Sequence, residues 1–493
     1  MPKPSEAGDH GHGHGPNRFG VLPVAFRLGA DEGATGRGVT IAFLDSGFVA
    51  HPDLTCPENR IVAFHDVESP GARLEGQEPR SMDWHGTQTS VVAAGNGFLS
   101  EGLYRGLASE ARVALIKVGS GGRIGDQDIA HGLEWVLENR ERLGIRVCSI
   151  SLGGDLDAPL AASRVNQLAE ELNERGVVLV VAAGNAGCSE DHHPRPPATA
   201  PSAITVGGYD DANELDRRLV GLYCSSFGTS ADGIAKPEIL APSIGVAAPI
   251  LPGTLSYARA QTLSRLAAEP DALLDWRLAE MALEDPDLSS LAGQSASQTR
   301  ANVERAFLSE KIVATHYQHV EGTSFAAPIV ASLVAQMLEL SPSLTPEAVK
   351  RLLVDTAEPL PGAPAARQGN GILCAGRAVS AARSEVHGAD RSAFAAPHAQ
   401  TESHVFTHHD DGAGSVHFAS ELNGWEFLAC PFVRTPDGIW RFELPAPPPG
   451  RYRYKLVIDG ARWISDPSHG RKEPDPYGDF DSILDIKDVG RRT

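Results

Sequence analysis

The chain has 493 residues, 42% of them apolar and 22% charged, a balance that excludes a largely disordered polymer and leaves room for two or three folded units. Lys and Arg number 43 against 63 Asp and Glu, a net charge of −20; such a surface repels phosphate backbones, so nucleic acid is not an expected partner. The longest clean apolar run, Val177–Ala183, falls far short of the ~20 residues a membrane span needs, so no membrane is expected either.

Residues 1–20 are polar, with His10, His12 and His14 alternating with glycine, and read as a tail. No basic stretch followed by an apolar leader is visible there. The six cysteines, at 56, 148, 188, 224, 374 and 430, include no CxxC pair, and no two are closer than 36 residues. The expectation is a cytoplasmic chain with reduced thiols, Cys148 serving as a small apolar residue.

From Gly38 to about residue 385 apolar runs alternate with amphipathic ones. Val39–Leu44, Arg112–Val118, Val147–Ser151 and Val177–Ala182 read as buried strands. Asp128–Leu143 and Leu160–Arg175 carry apolar residues at helical spacing, and Gly144 and Gly176 follow as end caps. The alternation predicts an α/β fold with a doubly wound parallel sheet over residues 21–385. Residues 253–319 interrupt it with a Leu/Ala-rich helical insertion broken at Pro270 and Pro286, either a lid or a passive excursion. Residues 386–411 are polar and His-rich, like a linker. Residues 412–488 carry short strands, clearest at Val416–Ala419, Trp440–Leu444, Tyr452–Ile458 and Ile483–Ile486, and predict a small β-sandwich.

Three motifs carry chemistry. Asp45 ends the first strand in Leu44-Asp45-Ser46-Gly47, His85 opens a helical run in Asp83-Trp84-His85-Gly86-Thr87, and Ser324 stands at a helix start in Gly322-Thr323-Ser324-Phe325-Ala326-Ala327-Pro328. Singly, each has an ordinary structural reading as a turn residue or cap. Together they supply a nucleophile, a base and an acid to orient the base, the parts that acyl transfer needs. No Gly-x-Ser-x-Gly elbow occurs, which sets aside the lipase and esterase arrangement.

The chain order Asp45, His85, Ser324 is that of subtilisin, and residues 36–380 resemble the subtilisin-like (S8, subtilase) serine peptidases. Gly38–Gly47, His85-Gly86-Thr87 and Gly322–Pro328 look like the family's Asp, His and Ser boxes. Ser151-Leu152-Gly153-Gly154, Ala182-Ala183-Gly184-Asn185 and Lys236–Pro242 match three further signatures in the family's order. The resemblance implies that Ser324 attacks the scissile carbonyl, His85 takes its proton and Asp45 orients His85. It implies that Asn185 and the Ser324 backbone N–H hold the oxyanion. It also implies that Ser120-Gly121-Gly122 and Ser151-Leu152-Gly153-Gly154 flank an extended protein or peptide substrate as edge strands. No cofactor is required, and calcium is a candidate structural ion. Asp191, His192 and His193 beside Cys188 fit no standard zinc spacing.

Several features depart from the family. Thr87-Gln88-Thr89-Ser90 is polar where the family usually has an apolar pair after the threonine. Thirty-eight residues precede Val39, too few for the usual folding propeptide; intracellular members make do with a short extension, in keeping with a cytoplasmic chain. One reading has residues 1–20 occupying the cleft and holding activity down. Alignment puts Arg195 near the floor of the S1 pocket, where it would favour acidic P1 side chains; an exposed loop cation is the plainer reading.

Residues 412–488 resemble the glycogen-binding module of the AMP-activated kinase β subunit and of starch-branching enzymes (the CBM48 group), through Val416–Trp425, Trp440–Leu444, Gly450–Gly460 and Trp463–Pro467. Trp425, Lys455 and Trp463 fall at the family's sugar-contacting positions, which implies glycogen or another α-glucan as a partner. Tyr477 takes the place of an apolar loop residue. Asp481 replaces the usual sugar-binding Asn and loses its donor. The plainer reading has Trp425 and Trp463 packing the sandwich. The expected function is a serine endopeptidase carrying this module; the alternative is a weakly active or inactive adaptor that uses the module to bind.

Overall fold

The computed structural model describes residues 21–31, 33–74, 83–119, 124–155, 157–215, 217–391, 404–410, 412–423, 430, 432–435, 438–444, 450–460, 462–475 and 480–486. The chain divides into two compact units, residues 1–389 and 390–493.

The first unit is built on a sheet of eight strands. Its main path contains β1 (Thr40–Asp45), β2 (Ile61–Asp66), β3 (Arg112–Lys117), β4 (Ile145–Ile150), β5 (Val178–Ala182) and β6 (Ile204–Asp210). The short β7 (Gly221–Leu222) pairs antiparallel with β6, and β8 (Ile239–Pro242) closes the far edge. The order is β8-β6-β5-β4-β1-β3-β2, parallel throughout. The central strands are buried on both faces, which explains their continuous apolar runs. One face is covered by α1 (Asp83–Ala94) and α4 (Thr323–Leu340), the other by α2 (Asp126–Leu143) and α3 (Arg164–Glu174). This is the doubly wound α/β architecture, with helix ends near the sequence reading: Gly144 caps α2 at φ 65°, and Gly176 follows α3 at φ 83°. Residues 160–162 form a separate 3-10 turn before α3.

Helix α4 is long and apolar enough to cross a membrane by composition, but it is the core helix of this unit, with 83% of its apolar window buried.

Residues 255–309 form three helices, Leu255–Ala268, Asp271–Met281 and Ala296–Ser309, and a 3-10 turn at Pro286–Leu291. Pro270 and Pro286 start elements rather than interrupt them. The insertion has its own apolar cluster, including Leu263, Leu274, Leu278, Val303 and Phe307. A small antiparallel sheet, Val246–Pro249, Ile312–Ala314 and Tyr317–Val320, leads from the insertion to Ser324.

Lys236 and Glu238 are almost fully buried. Glu238 Oε1 accepts from Lys236 Nζ and Lys350 Nζ, each at 2.7 Å, and Oε2 accepts the Thr205 N–H at 2.8 Å. Lys236 also donates to the Ala200 and Ala203 carbonyls, tying the loop before β6 to the segment before β8. Burial pushes the Lys236 ammonium down to about 8, against the pull of Glu238 and with a further push from Lys350. Glu238→Gln leaves two cations facing a neutral amide. The expected loss is about 3–5 kcal/mol of stability in urea unfolding; a loss under about 1 kcal/mol would show that the network is not buried in solution.

The second unit contains a three-stranded sheet (His404–His408, Trp440–Leu444, Val433–Arg434). Its five-stranded sheet contains Val416–Ser420, Gly450–Ile458, Arg462–Ile464, Lys472–Pro474 and Phe480–Ile486. Phe406, Phe418, Phe432, Trp440, Tyr454, Leu456 and Leu484 form its core. Two segments expected in a linker are structured: a helix begun at Ala375 continues to Arg391, and His404–His408 pairs with Trp440–Leu444. Only Phe406 is a large buried apolar residue in that strand, too little alternation to announce it.

The expectation of reduced thiols is also corrected. Cys188 and Cys224 are bonded to each other, while Cys56, Cys148, Cys374 and Cys430 form no disulfide among the described residues. The pair is 36 residues apart, and what joins them is the close approach of two loops that no local spacing encodes.

Candidate active site

The carboxyl ends of β1, β4 and β5 are neighbours in the sheet. Asp45 closes β1, Ser151 follows β4, and Asn185 lies three residues beyond β5. Helix α1 carries His85 and the first turn of α4 carries Ser324. Such strand ends are where parallel α/β sheets gather functional residues.

Asp45 and His85 are joined directly, with His85 Nδ1 2.7 Å from Asp45 Oδ1. A Cβ at Gly86 would sit 2.3 Å from the Gly47 carbonyl and 2.8 Å from Asp45 Cβ. Only glycine after His85 lets α1 approach β1 this closely. Asp45 is 2% exposed, and its charge is met by more than His85: Oδ1 accepts the Ser46 N–H at 2.7 Å and Oδ2 accepts the Thr89 hydroxyl at 3.1 Å. Facing a carboxylate, Nδ1 holds the proton in the neutral ring and Nε2 keeps its lone pair. Burial pushes the imidazolium down, but the Asp45 charge and hydrogen bond outweigh it and hold His85 above its ordinary value.

The polar run after His85 has a use that the sequence did not disclose. Thr89 holds the second Asp45 oxygen, Thr87 accepts the Val49 N–H at 2.9 Å, and Gln88 donates to the Pro249 carbonyl at 2.9 Å. The signal was a hydroxyl one helical turn beyond His85 on the same face.

Ser324 is the second residue of α4, and Pro328 lies four residues on. Proline has no N–H, so the Ser324 carbonyl lacks its intrahelical donor. Ser151 Oγ supplies one at 2.8 Å, and Ser324 Oγ in turn meets the Ser151 carbonyl at 3.5 Å. Among the described residues Ser324 makes no hydrogen bond to His85, whose ring lies 5.9 Å from that of Phe325. Such bonds are commonly long before substrate binds.

Asn185 Oδ1 accepts the Thr323 N–H at 2.9 Å and the Thr323 hydroxyl at 3.0 Å. A backbone donor must face the carbonyl oxygen, so the amide orientation is fixed and Nδ2 is left to donate. The Thr323 and Phe325 N–H groups are occupied by Asn185 and Gly322, whereas the Ser324 N–H has no partner among the described residues. Asn185 is thus tied to the residue before Ser324, and the Ser324 N–H is an unused donor at the N-terminus of α4.

Ser151-Leu152-Gly153-Gly154 continues beyond β4 and pairs with no strand among the described residues. The Gly154 N–H bonds the Pro196 carbonyl at 2.8 Å, and a Cβ on Gly153 would meet Arg195 Cβ at 3.3 Å. Asp126 Oδ1 accepts the Asp155 N–H at 2.7 Å and lies 1.9 Å from where a Gly154 Cβ would be. Gly154→Ala would displace Asp126 and release this edge. KM for a peptide substrate is expected to rise about 10-fold or more with kcat changed less; an unchanged KM would exclude this edge from substrate binding. Ser120, Gly121 and Gly122 lie outside the described residues, as do residues 1–20.

Arg195 is no free cation: it pairs with Asp191 at 2.6 Å and bonds the Asp155 carbonyl at 3.1 Å. The residues considered for a metal are otherwise engaged. Cys188 is in the disulfide, and His192 stacks on Phe227 at 4.2 Å. Among the described residues no group of three His, Cys, Asp or Glu side chains is arranged to hold a metal.

In the second unit, register places Trp463 opposite Val457, two residues from Lys455 on the same sheet face. Trp463 is 38% exposed and outside the core. Lys455 is buried, its Nζ 2.6 Å from Asp475 and 4.0 Å from Asp481. Burial raises Asp481, with Lys455 opposing. Trp425 and Tyr477 lie outside the described residues.

The Subtilase family model matches residues 36–371. The chain belongs to the subtilase family. Serine protease AprX of Bacillus subtilis (strain 168) is 31% identical over 335 residues, covering 65% of this chain and 61% of AprX. Subtilisin BL of Lederbergia lenta is 31% identical over 232 residues, 46% of this chain and 72% of that protein. The chain thus spans less than two thirds of AprX. Among solved structures, a protease from Pseudoalteromonas arctica aligns with a TM-score of 0.49 and 21% identity, over 73% of this chain and 94% of that one. The family match lies within the first unit.

Proposed function

We propose that this subtilase is a serine endopeptidase in which Ser324 is the nucleophile, His85 the general base and Asp45 the orienting acid. The observation that carries the reading is the 2.7 Å His85–Asp45 hydrogen bond beside the first turn of α4. With Nδ1 tied to Asp45, Nε2 is the free base that takes the Ser324 proton as Oγ attacks, and it returns that proton to the leaving amine. Negative charge then develops on the carbonyl oxygen, where Asn185 Nδ2 and the Ser324 N–H donate. Ser151-Leu152-Gly153-Gly154 would pair with an extended protein or peptide substrate, joined by Ser120-Gly121-Gly122. Asp191 neutralises Arg195, so an acidic P1 side chain gains little from it.

A fluorophosphonate should label Ser324 and not its alanine variant, and labelling should abolish peptide hydrolysis. Hydrolysis that survives full labelling would overturn the assignment.

For the second unit we propose an α-glucan surface around Trp463, supported by the exposure of that ring beside Lys455. Glycogen pull-down of the full chain should be lost in Trp463→Ala and Trp425→Ala; retention in both would remove the proposal.

A further inference from the structure

The Cys188–Cys224 disulfide lies outside the triad, yet it closes the loop that carries the proposed oxyanion donor. Cys188 is three residues beyond Asn185. The opposing segment, Cys224–Ser226, grips the Asn185 loop by its backbone. Gly187 N–H donates to the Cys224 carbonyl at 2.9 Å, Ser226 N–H to the Gly184 carbonyl at 2.8 Å, and Ala186 N–H to Ser226 Oγ at 3.1 Å. The approach is close: a Cβ on Gly187 would fall 1.9 Å from the Ser225 carbonyl, and one on Gly184 would fall 2.8 Å from Ser226 Oγ. On its other side the loop meets the nucleophile helix, where Gly184 N–H donates to Thr323 Oγ1 at 3.1 Å and Asn185 Oδ1 accepts from Thr323.

Asn185 is solvent-exposed, so side-chain packing does little to hold it. Its position rests on these few backbone bonds, on the two bonds that its Oδ1 accepts from Thr323, and on the covalent link. Ser225 and Ser226 are buried and so provide a fixed wall. Cys188 is exposed and Cys224 half-buried, which leaves the disulfide open to thiol attack.

We propose that Cys188 and Cys224 are positioning residues for Asn185, and that their oxidation state sets the turnover rate of the peptidase. The inference rests on the peptidase reading above. Reduction by a dithiol breaks the Cys188–Cys224 bond, leaves two protein thiols and converts the reductant to its own disulfide, so electrons and protons balance. The reduced loop keeps its sequence and loses its tether. Asn185 then samples orientations in which Nδ2 misses the developing oxyanion. Pre-aimed donors lower the barrier because they need no reorganisation as charge appears. The loss therefore falls on kcat. KM, set along Ser151–Gly154, changes little. An oxidising compartment keeps the tether formed.

The test measures kcat and KM for a peptide substrate in the full chain, oxidised, reduced with dithiothreitol, and reoxidised. Mass spectrometry counts the thiols, and thermal unfolding checks that each form is folded. Reduction is expected to lower kcat about 10-fold or more with KM within about twofold, and reoxidation to restore it. The Cys188→Ser/Cys224→Ser double variant should match the reduced form and ignore dithiothreitol. The deciding measurement adds Asn185→Ala. If the disulfide acts through Asn185, reduction should have little further effect in that background. An unchanged kcat in a fully reduced, folded wild type would overturn the proposal, as would an equal drop in Asn185→Ala. Fluorophosphonate separates the two readings: an oxidised protein that takes no label defeats the peptidase assignment, whereas a labelled protein indifferent to reduction defeats only the tether.

Discussion

Ser324→Ala and His85→Ala are each expected to lower kcat by about 10⁶-fold, a scale that comes from subtilisin itself. That is roughly 8 kcal/mol of barrier. The double variant should be scarcely worse than either single one, because a base with no hydroxyl to deprotonate and a hydroxyl with no base are equally idle. The residual rate over water should be appreciable, since the proposed oxyanion donors, Asn185 and the Ser324 N–H, are left in place. Steady-state kinetics on a peptide, with thermal unfolding as the check on folding, decides it. Ser324→Ala retaining more than about a hundredth of the wild-type kcat would point to a different nucleophile.

Asp45→Asn is expected to lower kcat by about 10⁴-fold and to move the acid limb of the pH profile. In the wild type, burial alone would push His85 down, but the charge and hydrogen bond of Asp45 hold it above its ordinary value. Because the base works in its neutral form, wild-type kcat/KM should rise with pH through an apparent pKa above about 6.5. Asparagine removes the opposing charge and leaves the burial, so the limb should shift to lower pH. The stability term has the opposite sign. A folded pKa above the unfolded one stabilises below the unfolded value, and that increment is lost as pH rises through the folded value. On the proposed mechanism the protein gains its base over the pH range where the ion pair stops contributing to the fold. An unshifted limb in Asp45→Asn would mean that the 2.7 Å contact does not govern the titration.

The strands that place the site were legible because they are buried on both faces and so read as unbroken apolar runs. β1, β3, β4 and β5 lie within two residues of where the pattern put them. The boxes around Asp45, His85 and Ser324 stand out in the sequence because each sets an acid, an imidazole or a hydroxyl near a glycine or proline that the local geometry uses. Gly86 lets α1 close on β1, and Pro328 frees the carbonyl that Ser151 then bonds. Less was visible where a role depends on a partner distant in the chain. Thr89 reads as a poor helix residue until its hydroxyl is found on Asp45. Arg195 reads as a free cation until Asp191 is seen beside it. His404–His408 reads as linker because a strand with one large inward residue gains its stability from its pairing with Trp440–Leu444.

By itself, then, the sequence determined the alternation of strands and helices and the residue types at Asp45, His85, Asn185 and Ser324. Those depend on local periodicity and on backbone constraints acting over a few residues. Tertiary structure decided the rest: the amide orientation that Thr323 imposes on Asn185, the second hold on Asp45, and the joining of Cys188 to Cys224. Each is a contact between segments far apart in the chain, and its geometry exists only once the sheet has brought the strand ends side by side.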